Sequence, residues 1–376
     1  MRVLVIGGSG FLGSRTVQAL AKLPGVHVTV GRRGRNSIAE GSGKLHGATR
    51  FDLEDPATFS EMAKHDFVVN TSDTLAAPPT LAIDYALYNG VRFIEAGAHA
   101  ATMEGLMRRT RGPAADIHGW TGTLLLGMGL FPGLSNLLGR RLVEWVGPPE
   151  KLDFVVRLNP LAGGGPGLVE LMVRATQDDT VYYEEGSRVS GPPLRSGVRL
   201  FTGRTTVPTV GVGLPEAHML HATLGIPSVA TYVTSVPTLP SWMTAPLLRW
   251  MPKGPGAEKV FVPLLRRYLR TIRTVFFKGK RGYVELNVVT GGGHQLALRT
   301  DDGVAATAHA LAASVAALAA LNPPPGAYLP DELLGLDDVM RRMVELAQGT
   351  FRLTLHSTLV DPAPLSSGLP SELLRP

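Results

Sequence analysis

A chain that opens with an apolar run at residues 2–6, then Gly7-Gly8-Ser9-Gly10-Phe11-Leu12-Gly13, then amphipathic helical spacing over residues 14–23, has few ways to begin a fold. It reads as strand, glycine turn, helix. The spacing Gly8-x-Gly10-x-x-Gly13 meets three demands of a dinucleotide site. One residue must be free to take positive φ, backbone N–H groups must be bare enough to meet a pyrophosphate, and the helix must pack closely on the strand. With 44 glycines in 376 residues the motif is weak alone, and the flanking strand and helix supply the context it needs. Gly7, Gly8, Ser9, Gly10, Phe11, Leu12 and Gly13 form the candidate phosphate-binding turn.

The second strand, residues 26–30, bears on which dinucleotide. An NAD site places Asp or Glu about twenty residues past the glycines to bind the ribose hydroxyls. This chain has Gly31-Arg32-Arg33-Gly34-Arg35 there, with no carboxylate. A guanidinium fork grips a 2′-phosphate, so Arg32 and Arg33 point to NADP(H). An ordinary solvated loop is the other reading of the same arginines.

The length predicts two or three domains. No cysteine occurs, which excludes disulfides, zinc–thiolate sites and cysteine nucleophiles and leads us to expect a cytoplasmic protein. A core strand starting at residue 2 predicts no cleaved leader. The net charge of +6 comes without a helix-turn-helix, zinc finger or aromatic RNA-binding pattern, so no nucleic-acid partner is expected. Residues 304–321 are nearly long enough to span a bilayer, but they are mostly alanine and carry Thr307, His309 and Ser314. A buried helix is the better reading.

Further strands are expected at residues 48–51, 67–69, 91–94 and 124–126, with helices near 56, at 78–88 and at 101–111. This alternation is the signature of a parallel, doubly wound sheet. Asp52, beside Leu53 at a strand's carboxyl end, either accepts from the adenine amino group or caps the helix beginning at Asp55-Pro56. Asn70, Thr71 and Ser72 close the next strand and would face ribose and nicotinamide. Glu95, Gly97 and His99 follow the fifth. The sixth runs into Gly127-Met128-Gly129-Leu130-Phe131-Pro132-Gly133-Leu134-Ser135-Asn136, with Pro132 expected in the first turn of a helix whose free N–H groups would hold an anionic substrate group.

These strings resemble the saccharopine dehydrogenase-like (saccharopine reductase-like) NADP-binding oxidoreductases. The resemblance rests on the opening turn, Gly31-Arg32-Arg33, Asp52-Leu53-Glu54-Asp55, Gly90-Val91-Arg92-Phe93-Ile94-Glu95 and the string from Gly129 to Asn136. Thr300-Asp301-Asp302-Gly303 and Pro325-Gly326-Ala327-Tyr328-Leu329-Pro330-Asp331-Glu332 extend it toward residue 345. It implies a Rossmann domain, a central domain with a mixed sheet inserted over the nicotinamide, and carboxy-terminal helices returning to the first domain. It also implies hydride transfer between NADP(H) and a C=N bond, or, in relatives, enoyl reduction of lipid-like substrates. The family commonly has Asp and Glu around the fifth strand, where this chain has Glu95 and then Ala98-His99.

The middle of the chain has a different texture, with β-rich runs at 152–158, 205–212, 230–236 and 283–290 between Gly/Pro loops. Residues 237–274 carry Trp242, Met243, Trp250 and Met251, then Arg266, Arg267, Arg270 and Arg273. They read as a membrane-surface contact, a lid over an apolar substrate, or a helix with its stripe on the core and its arginines in water.

Hydride transfer usually needs a proton donor. Extended short-chain dehydrogenases use a tyrosine four residues before a lysine, and none of the eight tyrosines here has that partner. His99, with Glu95, is the candidate catalytic pair, although a lone histidine is more often structural. Phe131, Asn136, Arg157 and His294 are candidate substrate contacts, and Gly97, Gly129 and Pro132 join the cofactor set. No metal-ligand or serine-hydrolase motif is present.

The chain therefore reads as an α/β protein, an NADP(H)-dependent oxidoreductase acting on a small to medium, partly apolar molecule and expected to form a homodimer. Its parts are a Rossmann doubly wound parallel sheet at 1–126, an inserted α+β substrate and dimerisation domain at 127–302, helices at 303–350 and a tail at 351–376. The alternatives are a non-catalytic NADP(H)-binding sensor or scaffold and a peripheral membrane enoyl reductase of lipid-type substrates.

Overall fold

The computed structural model describes residues 1–33, 45–74, 77–113, 115, 117–158, 178–193, 195–202, 205–235, 263–264, 267, 271 and 283–358. Gly34, Arg35, Trp242, Met243, Trp250, Met251, Arg266, Arg270 and Arg273 lie outside them, so the readings placed on residues 237–274 do too. The chain divides into two compact units, Met1–Leu137 with Ala305–Thr350, and Leu138–Val304 with Phe351–Pro376.

The first unit is built on a seven-stranded sheet. Its strands are β1 (Arg2–Ile6), β2 (His27–Arg32), β3 (Leu45–Arg50), β4 (Phe67–Asn70), β5 (Arg92–Glu95), β6 (Thr123–Leu126) and, from the far end of the chain, β15 (Gly326–Tyr328). Their order is β3-β2-β1-β4-β5-β6-β15, and every pair is parallel. Strands covered on both faces read as unbroken apolar runs, and Val3, Leu4, Val5, Phe67, Val68, Val69, Phe93, Ile94, Leu124 and Leu125 are all buried. Between the strands run α1 (Phe11–Leu20), α2 (Thr80–Tyr88) and α3 (Ala100–Arg111). The crossover between β3 and β4 is a 3₁₀ segment, Pro56–Lys64, with proline in its first turn and Asp55 as N-cap accepting from the Ala57 amide. Asp52, for which a cap was one of two expected roles, sits three residues too early for that bond and accepts from the Glu54 amide instead.

Beyond β6 the chain departs from expectation. Phe131 and Pro132 are extended and Gly133 has φ 122°, so α4 (Ser135–Val146) begins three residues after the proline, not around it. The helix Gly303–Leu321, here α5, is long and apolar enough to cross a membrane by composition. Ala308, Leu311, Ala312 and Val315 are nevertheless fully buried, as a core helix requires.

The second unit carries a nine-stranded mixed sheet. Its principal path runs β10 (Arg195–Thr202), β11 (Thr205–Gly211), β12 (Ser228–Ser235), β7 (Lys151–Leu158), β13 (Val284–Thr290), β14 (Gln295–Thr300) and β16 (Leu353–Thr358). Off this path, β8 (Thr180–Glu184) pairs with β12 and with β9 (Ser187–Gly191). Only β7 with β12 is parallel among these pairs. Residues 353–358, inside the expected tail, form the strand beside β14, with Leu353 and Leu355 buried. One sheet face is apolar, with Phe154, Val156, Leu286, Val288, Leu296 and Leu298. The other carries Asp153, Arg157, Glu285, Asn287 and Gln295, because successive side chains alternate faces.

Candidate functional site

In an open parallel sheet, ligands bind outside the carboxyl ends of the strands where the order reverses. Here that point lies between β1 and β4, and the glycine turn fills it. The three glycines of the motif do not divide the work as the spacing implied. Gly7, one residue earlier, has φ 73° and makes the tight turn. Gly8 is held by packing, since a Cβ there would sit 3.0 Å from Val30 and from the Val5 carbonyl. Gly13 lets the helix touch the turn before it, since a Cβ there would crowd the Gly7 carbonyl oxygen and the Gly8 Cα. Gly10 has an ordinary φ of −75°, and a Cβ on it would meet only the Gly7 carbonyl oxygen, at 3.1 Å.

The start of α1 has no side-chain cap. The amides of Phe11, Leu12 and Gly13 therefore precede the first intrahelical bonds, at the positive end of the helix dipole. Exposed Ser9 and Gly10 stand in front of them, and the Arg15 guanidinium lies 4.3 Å over the Phe11 ring. A pyrophosphate fits this donor set, because among the described residues only the Gly7 carbonyl oxygen comes near the place where a side chain on Gly10 would stand.

At the end of β2, Arg32 is half-buried and Arg33 exposed; the Arg32 carbonyl takes the Phe51 amide, but neither guanidinium makes an ion pair or hydrogen bond among the described residues. Asp52 Oδ1 accepts from the Glu54 amide at 3.1 Å. The Asp52 backbone is pinned by Thr58, whose hydroxyl takes its N–H and donates to the Asp55 carbonyl. No sequence pattern singled out Thr58. Leu53 points into the core and is buried, so its side chain is packing, not a contact at the cleft.

Thr71 donates through its amide and its hydroxyl to the Ile6 carbonyl, fastening the end of β4 to β1. Asn70, fully buried, gives Nδ2 to Glu95 at 2.7 Å, and its Oδ1 takes the Ser72 hydroxyl at 2.6 Å and amide at 3.1 Å. The Gly97 amide donates to Glu95 at 2.6 Å. Burial pushes the Glu95 carboxyl up to about 7, against the two hydrogen bonds that pull it down. Glu95 is sealed from solvent with both oxygens engaged, so it does not stand at the cleft as an acid presented to substrate. Strand ends in such sheets commonly face ligand, and the register that turns this residue toward Asn70 is invisible in sequence.

His99 is half-buried and is the N-cap of α3: its Nδ1 accepts from the Thr102 amide at 3.4 Å and lies 2.8 Å from the Thr102 hydroxyl. That is the structural role weighed against catalysis. Met128 donates to the Glu95 carbonyl, tying the loop after β6 to β5. Gly129 is hemmed by the Pro132 carbonyl and Thr307, and Phe131 is half-buried. Asn136 is fully buried, and its Oδ1 takes the Gly133 amide at 3.0 Å. It locks the loop and offers no surface to a substrate.

In the second unit Arg157 pairs with Glu285 at 3.0 Å, both side chains mostly buried. His294 lies in the turn between β13 and β14, its amide donating to the Thr290 hydroxyl. That turn abuts Lys151, at the opposite end of β7 from Arg157, about 20 Å away at strand rise. The structure does not bring these two candidates together.

The all-parallel sheet, its order and the glycine turn at the switch point define a Rossmann-type unit with an inserted mixed-sheet unit. Residues 3–90 match the NAD dependent epimerase/dehydratase family. No curated protein matches the sequence. Among solved structures, apo saccharopine dehydrogenase (L-Glu forming) from Saccharomyces cerevisiae aligns with 95% of this chain and 100% of its own, at TM-score 0.58 and 13% identity. An amine dehydrogenase from Mycobacterium smegmatis aligns with 89% of this chain and 96% of its own, at TM-score 0.44 and 12% identity. The yeast likeness, which spans both units, shows that the chain has a saccharopine dehydrogenase-like fold.

Proposed function

We propose that the protein is an NADP(H)-dependent oxidoreductase of the saccharopine reductase-like type, reducing a C=N bond, or a C=C or C=O bond, of a small to medium, partly apolar substrate. One observation carries the reading: two guanidinium groups without partners among the described residues stand at the end of β2, where an NAD site would hold a carboxylate. The uncapped start of α1 would take the pyrophosphate, Arg32 and Arg33 the 2′-phosphate, and Asp52 the adenine amino group. When bound, the nicotinamide supplies the hydride. A cytoplasmic homodimer is part of the same proposal.

A second reading has an observation in its favour. Glu95 is sealed and His99 caps a helix, so both candidate proton donors have structural duties. A non-catalytic NADP(H)-binding protein would look like this. NADPH oxidation followed at 340 nm against imines, enones and oxo acids separates the two. Turnover with any class establishes the reductase, and inertness beside tight NADPH binding establishes the sensor.

A further inference from the structure

Resting on the dinucleotide site proposed above, we propose that Glu95 is a positioning residue of that site: its buried carboxylate ties the loop after β4 to the loop after β5 and so sets the wall against which the glycine turn sits. Asn70 and Glu95 are register partners at the last positions of adjacent parallel strands, so their side chains leave the same face together. From the carboxylate a chain of contacts runs outward. Oε2 holds the Asn70 amide nitrogen, the Asn70 oxygen holds both the hydroxyl and the backbone N–H of Ser72, and Ser72 N and Cα lie 3.0 Å from where a Cβ on Gly7 would stand. Oε1 holds the Gly97 amide, and a Cβ at Gly97 would lie 2.8 Å from that oxygen and 3.1 Å from Thr74 Oγ1. The whole path from carboxylate to nucleotide turn is three residues long.

The polarity of the path has one solution. The Ser72 and Gly97 backbone amides can only donate, so Asn70 must turn its oxygen to Ser72 and its nitrogen to Glu95. Glu95 then faces two donors, which suits an acceptor-only carboxylate. A protonated acid carries a hydroxyl that must itself donate, toward partners that also donate. Among the described residues no charged group contributes to its titration; Asn70, Gly97 and burial account for it, with Leu126 of β6 in register alongside. With its pKa about 7, the tie is made above neutrality and slackened below it.

The test is calorimetric titration of the full chain with NADPH and with NADH at pH 6 and pH 8. NADH is included because it lacks the 2′-phosphate, which titrates near pH 6 itself. The ionised fraction of a group with pKa about 7 falls about tenfold between these pH values, so wild-type Kd for NADH rises about tenfold on acidification. Glu95→Gln, with one acceptor for two donors, binds both nucleotides weakly and with a flat pH profile. Parallel profiles for the two proteins overturn the role. Where the variant does not fold, amide hydrogen exchange on wild type decides. Protection at Ser72 and Gly97, corrected for intrinsic rates and taken relative to core amides that exchange only through global unfolding, drops from pH 8 to pH 6, and an unchanged ratio overturns the role. Wild-type protein that binds neither nucleotide at any pH overturns the dinucleotide site and the role together, whereas binding that ignores pH overturns the role alone.

Discussion

A Cβ added to Gly13 would stand 2.1 Å from the Gly7 carbonyl oxygen and 2.7 Å from the Gly8 Cα, so helix α1 touches the turn that precedes it backbone to backbone. Neither neighbour can swing aside as a flexible side-chain tip would. Gly13→Ala must lift the helix from the turn, and overpacking of this kind costs about 1–3 kcal/mol. Chemical denaturation should show that loss together with impaired dinucleotide binding.

Gly10 tests the opposite case. Its φ suits any residue, and a Cβ there meets only one atom, at 3.1 Å. Gly10→Val should keep a near-normal melting temperature while abolishing nucleotide uptake in calorimetry, because the new side chain fills space outside the fold. A large drop in melting temperature would mean that Gly10 serves packing.

Arg32 and Arg33 carry the cofactor preference. A charge-assisted bond is worth about 1.5–3 kcal/mol, so Arg32→Ala with Arg33→Ala should weaken NADPH roughly tenfold to a hundredfold and leave NADH nearly unchanged. The ratio of the two dissociation constants is the readout. Equal losses would contradict contact with the 2′-phosphate.

Glu95 also leaves a mark on stability. Its folded pKa of about 7 lies above the ordinary 4.5 because burial disfavours the charged form. Between those values the folded chain holds a proton that the unfolded chain has released. The contribution is thus complete below pH 4.5 and is lost as pH climbs through 7, an amount on the order of 3 kcal/mol. Glu95→Gln cannot titrate. The difference in unfolding free energy between wild type and variant should therefore shift in favour of the variant from pH 5 to pH 8, and an invariant difference would contradict the raised pKa.

What the sequence made legible follows the range of the interactions involved. Strand, turn and helix in residues 2–20 are local, as are the apolar runs at Phe67, Phe93 and Leu124, and each is found within a residue or three of its expected place. The caps were harder. Asp52 was the cap that the sequence offered, and the geometry of the 3₁₀ turn gives that role to Asp55, which the sequence placed at the start of the helix itself. Pro132 looked like a first-turn proline because the extended conformation at Phe131 depends on Gly133 and on Asn136 clasping its amide. The Asn70–Glu95 pair needs the sheet order before it can be seen, and the strand at Leu353–Thr358 needs β14 beside it.

An ion pair across two distant strands yields the last prediction. Arg157 and Glu285 are cross-strand neighbours on β7 and β13, 3.0 Å apart, and Glu285 also accepts from Asn287 at 3.2 Å. Removing one partner of a mostly buried pair strands the other charge, so Glu285→Ala should lose about 3–5 kcal/mol. Replacing both with apolar groups of similar volume removes that penalty, so Arg157→Met with Glu285→Leu should recover most of the loss in urea denaturation. The double variant also separates structure from function. If the guanidinium touches substrate as well as Glu285, the stable double variant will turn over poorly or show a raised KM. If activity returns with stability, Arg157 is architecture and the substrate contacts in this unit lie elsewhere.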